Sequence, residues 1–114
     1  MEITLERLRH SMFLLFLIPF WSSCTFAPER PQPKVYTVEI RQMKFQPAEI
    51  KVQKGDTVVF INRDFVTHDV TEESSKSWTS SPLPGGKSWS LAVAKSSSYY
   101  CSIHQVMKGK IVVE

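Results

Sequence analysis

Tyr99-Tyr100-Cys101-Ser102-Ile103-His104-Gln105-Val106-Met107 lies close to the C-terminus, with Gly109–Glu114 directly behind it. The stretch offers a thiol, an imidazole and a thioether in the pattern C-x2-H-x2-M. Those three donors make a poor zinc set, because a thioether is soft and binds zinc weakly. They make a good copper set, since copper(I) favours thiolate and thioether and imidazole suits both copper oxidation states. The loop lacks one more nitrogen. His68, in Val66-Thr67-His68-Asp69-Val70, is the one remaining histidine outside the extreme N-terminus, where His10 sits. His68, Cys101, His104 and Met107 would together form a trigonal His2Cys plane with a long axial Met, the arrangement of a blue-copper electron-transfer centre.

Upstream, Met43-Lys44-Phe45-Gln46-Pro47-Ala48-Glu49-Ile50 and Gly55-Asp56-Thr57-Val58 precede His68. With the closing loop, these segments resemble a cupredoxin, and among cupredoxins the amicyanin and plastocyanin group, over residues 35–114. The short spacing from His104 to Met107 is the amicyanin version. The resemblance implies a Greek-key β-sandwich and one copper ion cycling between Cu(I) and Cu(II). It implies that the Cys101 thiolate is the main electron pathway, that His68 and His104 bind as neutral imidazoles, and that Met107 tunes the potential. His104 would project its edge through an apolar surface patch, for which Val106, Phe65 and Pro47 are the candidates. Two positions depart from the group. Asp69 stands where Asn is common, which keeps a backbone N–H toward the Cys101 sulfur but loses a side-chain amide. An ionised Asp69 near copper would favour copper(II) and lower the potential. The loop Ser102-Ile103-His104-Gln105-Val106 also lacks the prolines usual beside the outer histidine.

The N-terminus reads differently. Arg7 and Arg9 precede the apolar run Met12–Trp21, and Ser22-Ser23-Cys24 follows. Charged, then apolar, then small is the order of a secretory signal, and the run is about half of the roughly 20 residues a membrane span needs. Residues 1–23 are therefore assigned as a signal of the lipoprotein type, with Cys24 as the cleavage and lipidation point. Trp21 departs from the aliphatic residue usual three positions before such a cysteine. The plain alternative is a free thiol in an uncleaved anchor. A doubly or triply acylated Cys24 would hold the protein stably, since one acyl chain gives only marginal binding. Residues 24–34 carry Pro28, Pro31 and Pro33 and read as an extended tether of roughly 3 Å per residue. Taking residues 1–23 from 114 leaves 91, and with Cys24 and Cys101 each in a separate role no structural disulfide remains for the domain.

From Val35 the apolar period is two. Tyr36, Val38 and Ile40 alternate with Thr37, Glu39 and Arg41, and Ile50 and Val52 alternate with charged and polar neighbours. The run Thr57–Ile61 suits a central strand, Thr67–Thr71 a short one, and Glu72–Pro84 is polar and irregular. Pro84-Gly85-Gly86 turns into Trp89-Leu91-Val93 on one face, Ser97–Cys101 alternates again, and Ile111 and Val113 close the sheet. Trp78 and Trp89 read as packing residues. About seven or eight short strands without an amphipathic helix indicate an all-β sandwich or barrel.

The net charge of +3 comes without a basic cluster, which argues against nucleic acid as a partner. The expected protein is a one-electron carrier between extracytoplasmic redox proteins, monomeric and lipid-anchored to a bacterial membrane. The competing class is a periplasmic copper(I) chaperone or scavenger, for which Met/His-rich clusters or paired cysteines are the usual signal. A third class is a metal-free interaction module. An enzymatic binuclear copper centre would need a C-x3-C pair, and the sequence has none. The sequence names neither donor nor acceptor.

Overall fold

The computed structural model describes residues 16–29 and 32–114. The chain divides into two compact units, Met1–Arg30 and Pro31–Glu114. In the first, residues 16–29 form neither helix nor strand, and Phe16, Leu17, Ile18, Phe20, Trp21 and Phe26 are exposed. No helix among the described residues is long and apolar enough to cross a membrane. The charged start of the assigned signal, including Arg7 and Arg9, lies outside the described residues.

The second unit holds eight strands: β1 Val35–Arg41, β2 Lys44–Gln46, β3 Glu49–Val52, β4 Thr57–Asn62, β5 Thr71–Glu72, β6 Ser88–Ala92, β7 Ser97–Tyr100 and β8 Lys108–Val113. They form two four-stranded sheets in the orders β2-β1-β4-β6 and β3-β8-β7-β5. The pairs β1/β4 and β3/β8 are parallel and the rest antiparallel. The all-β class and strand number expected from the sequence are both found.

Alternation sets which side chains go inside. In β4, Val58, Phe60 and Asn62 are buried while Thr57, Val59 and Ile61 are half-covered on the opposite face. Val38 and Ile40 of β1 join Phe60 from one sheet, and Ile50, Tyr99 and Ile111 from the other, in a single core. Tyr99 is the keystone between the sheets, packing edge-on against Phe45 at 4.8 Å and Phe60 at 5.2 Å between centroids. Its ring covers Gly109 of β8 so closely that any Cβ there would overlap it. Trp89 stacks at a tilt between Phe60 and Trp78, which bears out the packing reading of both tryptophans.

One expectation is corrected. The short strand placed at Thr67–Thr71 is instead an isolated bridge at His68–Leu83, and pairing resumes only in β5. The cause is side-chain capture of the backbone: Asn62 donates its amide to the carbonyls of Val66 and Leu83, and Ser80 Oγ accepts the N–H of Val70 at 2.8 Å. The stretch after β5 is irregular, as expected, and is organised around one carboxylate. The Glu72 carboxylate accepts from the backbone N–H groups of Ser74, Ser75 and Ser77 and from their hydroxyls. A buried acid thus substitutes for the missing sheet partners of a serine loop.

Candidate metal centre

The residues of the site come from two connections at the same end of the sheets. Cys101 follows β7 immediately, and β7 and β8 form an antiparallel pair whose last rung is Tyr100 to Lys108. The intervening residues 101–107 close on themselves, with Cys101 N–H donating to Met107 O at 3.1 Å and Met107 N–H to His104 O at 3.0 Å. That closure explains the spacing of the pattern. It buries Cys101 and Met107 at the two feet of the loop and leaves His104, at the turn, half-buried. His68 arrives from the β4–β5 connection and is wholly buried, held by its N–H and C=O paired with Leu83.

The donor atoms converge. His68 Nδ1 is 3.1 Å from His104 Nδ1, and Cys101 Sγ is 3.7 Å and 3.8 Å from the two imidazole nitrogens. An ion with metal–nitrogen contacts of about 2.0–2.1 Å and a metal–sulfur contact of about 2.3 Å would, in a trigonal plane, set nitrogen–sulfur edges of about 3.8 Å. The residues therefore fit a small ion at their centre. Tautomers agree with this. His68 Nε2 lies 2.8 Å from Asp64 Oδ2, so the ring donates its proton there and turns the Nδ1 lone pair inward, the carboxylate–histidine–metal arrangement. Two imidazole nitrogens and a sulfur facing one buried point are well matched to a soft cation.

Asp69 occupies the space behind the sulfur. Its backbone N–H points at Cys101 Sγ at 3.4 Å, as expected for a residue in this position. Its carboxylate accepts from Ser102 N–H at 2.7 Å, from the Ser102 hydroxyl and from Thr71 Oγ1 at 3.1 Å. Every one of these hydrogen bonds is accepted, which explains how Asp is accommodated where an amide would have both a donor and an acceptor end. The same bonds fasten the ligand loop to β5.

Asp64 is the functional residue that sequence reasoning missed. Burial pushes its carboxyl upward, but the Met43 N–H, the His68 ring and the Gln42 N–H together hold it below the usual range. An acid four residues before a histidine is too common in loops to signal a partnership. Of the three patch candidates, Phe65 (106% exposed) and Val106 (90%) stand fully in solvent on the two ligand-bearing loops. Pro47 is exposed at the step from β2 to β3.

An eight-stranded double sheet with a buried His2Cys centre beside a methionine defines a type 1 copper protein. Residues 11–113 match the cupredoxin-like domain, and the chain belongs to that family. It is 30% identical over 99 residues to amicyanin of Paracoccus denitrificans, spanning 82% of this chain and 76% of that protein. It is 31% identical over 83 residues to amicyanin-alpha of Methylorubrum extorquens, spanning 68% and 70%. Among solved structures, a mutant amicyanin in its Cu(I) form superimposes with a TM-score of 0.66 at 30% identity, over 70% of this chain and 82% of that one. His68, Cys101, His104 and Met107 form the type 1 copper site, as in amicyanin.

Proposed function

We propose that this protein is a one-electron carrier, held at the extracytoplasmic face of a bacterial membrane by an acylated Cys24. The observation that carries the reading is the contrast within one donor set: His68, Cys101 and Met107 are buried, while His104 alone is half-exposed. Copper bound there supplies a Cu(I)/Cu(II) couple that takes and gives single electrons. The chain's part is to hold the donors still. The closed β7–β8 loop, the Leu83 bridge to His68 and the N–H of Asp69 on the sulfur all exist before any electron arrives, so little has to reorganise.

Nothing in the surroundings favours catalysis. The nearest acids, Asp64 and Asp69, are already committed to several hydrogen bonds each. Four protein donors leave no coordination position for a substrate. What the surface does offer is a docking patch. Phe65, Val66, Ile103 and Val106 are exposed on the two loops that carry the ligands, and apolar contact of that kind suits a transient redox partner. The positive balance of the chain would bias encounter toward acidic partners.

Residues 1–23 then act as the signal, 24–34 as the tether and 35–114 as the copper domain. One preparation tests both halves. Membranes from bacteria producing the full chain should carry a fatty-acid label on it and show a reversible one-electron copper wave. The label should vanish in Cys24→Ser, and the wave should follow the variant out of the membranes into the soluble fraction. A label unaffected by that change would remove the anchor, and copper held without a reversible wave would remove electron carriage.

A further inference from the structure

We infer that Asp64 is a positioning residue that couples the copper ligand His68 to the turn Gln42–Met43, so that holding the metal and holding the turn are one linked event. One carboxylate serves three partners. Oδ2 takes the His68 Nε2–H at 2.8 Å and the Met43 N–H at 3.0 Å, and Oδ1 takes the Gln42 N–H at 2.7 Å.

The turn needs such help. β1 ends at Arg41 and β2 begins at Lys44, so the hairpin closes through two residues, both at positive φ (54° for Gln42 and 59° for Met43). Two-residue hairpins of this kind normally place Asn-Gly or Asp-Gly there, since the left-handed conformation is unfavourable for residues with long side chains. Gln-Met has neither advantage. Its two N–H groups are instead gathered from outside by Asp64.

Asp64 is itself immobilised. Its N–H donates to Asn62 Oδ1 at 2.9 Å, and Gly85 lies so near its carbonyl that a Cβ there would overlap the oxygen. A rigid acceptor has two effects on the metal site. It fixes the His68 ring and its tautomer, leaving Nδ1 as the inward lone pair. A cation on Nδ1 draws density from the ring and makes Nε2–H a stronger donor, which tightens the carboxylate that also grips the turn. The coupling rests on the copper reading of His68, whereas the grip of Asp64 on the turn does not.

Amide and ring-proton exchange in the 15N-labelled full chain tests it, with copper(I) as the probe because that form is diamagnetic. Gln42 and Met43 amides should exchange at least tenfold more slowly with copper(I) than without it. A slowly exchanging His68 Nε2–H should also be seen. In Asp64→Ala that ring proton should exchange rapidly, and the two amides should lose their dependence on copper while Val58 and Phe60 in β4 keep their protection. Equal copper dependence in wild type and variant would overturn the coupling. If Asp64→Ala does not fold, the wild-type comparison decides alone, and copper-independent turn amides there overturn the coupling. Copper that binds with no effect on the turn removes the coupling only, whereas copper that does not bind at all removes the functional reading with it.

Discussion

Asp69 concentrates the most chemistry into one side chain. Its N–H supports the Cys101 sulfur, while its carboxylate binds the residue that follows Cys101. A carboxylate so placed stabilises the higher charge on copper. As a general scale, two unit charges about 6–7 Å apart at an effective dielectric of about 20 interact by ~2.5 kcal/mol, on the order of 100 mV for one electron. Asp69→Asn should therefore raise the reduction potential by up to about 100 mV, measured by voltammetry at neutral pH. An unchanged potential would mean that Asp69 does not lower it. The residue scale is also where the sequence was most readable. Cys101, His104 and Met107 could be assigned because donor softness restricts which metal they suit, and His68 because the one other histidine, His10, lies in the assigned signal. Asp64 and Ser102 could not, because their partners lie on other elements and only the fold brings them together.

Elements were legible where alternation was undisturbed, as in β1, β3 and β7, or where an apolar run marked a central strand, as in β4. They were not legible where side chains replace backbone pairing. The residues around His68 look like a strand by composition, yet Asn62 and Ser80 take over their hydrogen bonds. The loop after β5 gives the same lesson with a titratable centre. The Ser74 hydroxyl, then the backbone N–H groups of Ser75 and Ser77, hold the Glu72 carboxyl far below the usual carboxylate range against the opposing effect of burial. A folded-state pKa below the unfolded one means stability present above the unfolded pKa and lost as pH falls through the folded one. Glu72 should thus contribute in full above about pH 4.5, its ordinary value, and progressively less below. Thermal melting from pH 6 to pH 2 should show a shallower acid slope in Glu72→Gln than in the wild type. Parallel slopes would mean that the serine cage adds nothing to stability.

At the scale of the molecule, the two sheets bring the copper donors together from connections 33 residues apart in sequence, His68 to Cys101. Tyr99 shows how firmly that is done, since its ring lies in the core two residues before the ligand Cys101. Its hydroxyl has no partner among the described residues, and burial pushes its pKa well above the ordinary value. The all-β class followed from strand number and turn spacing, which left sandwich and barrel open, and the sandwich followed from the cupredoxin resemblance. The parallel pairings β1/β4 and β3/β8, which determine which loops share an end, follow from long-range packing that no local pattern encodes.

The most direct measurement is the visible absorption spectrum of the copper(II)-loaded protein, taken before and after ascorbate and again after reoxidation. A type 1 site predicts an intense thiolate-to-copper band in the orange-red that bleaches on reduction, returns on oxidation and is missing in Cys101→Ser. A colourless protein that binds copper(I) but will not hold copper(II), or a band that survives Cys101→Ser, would contradict it.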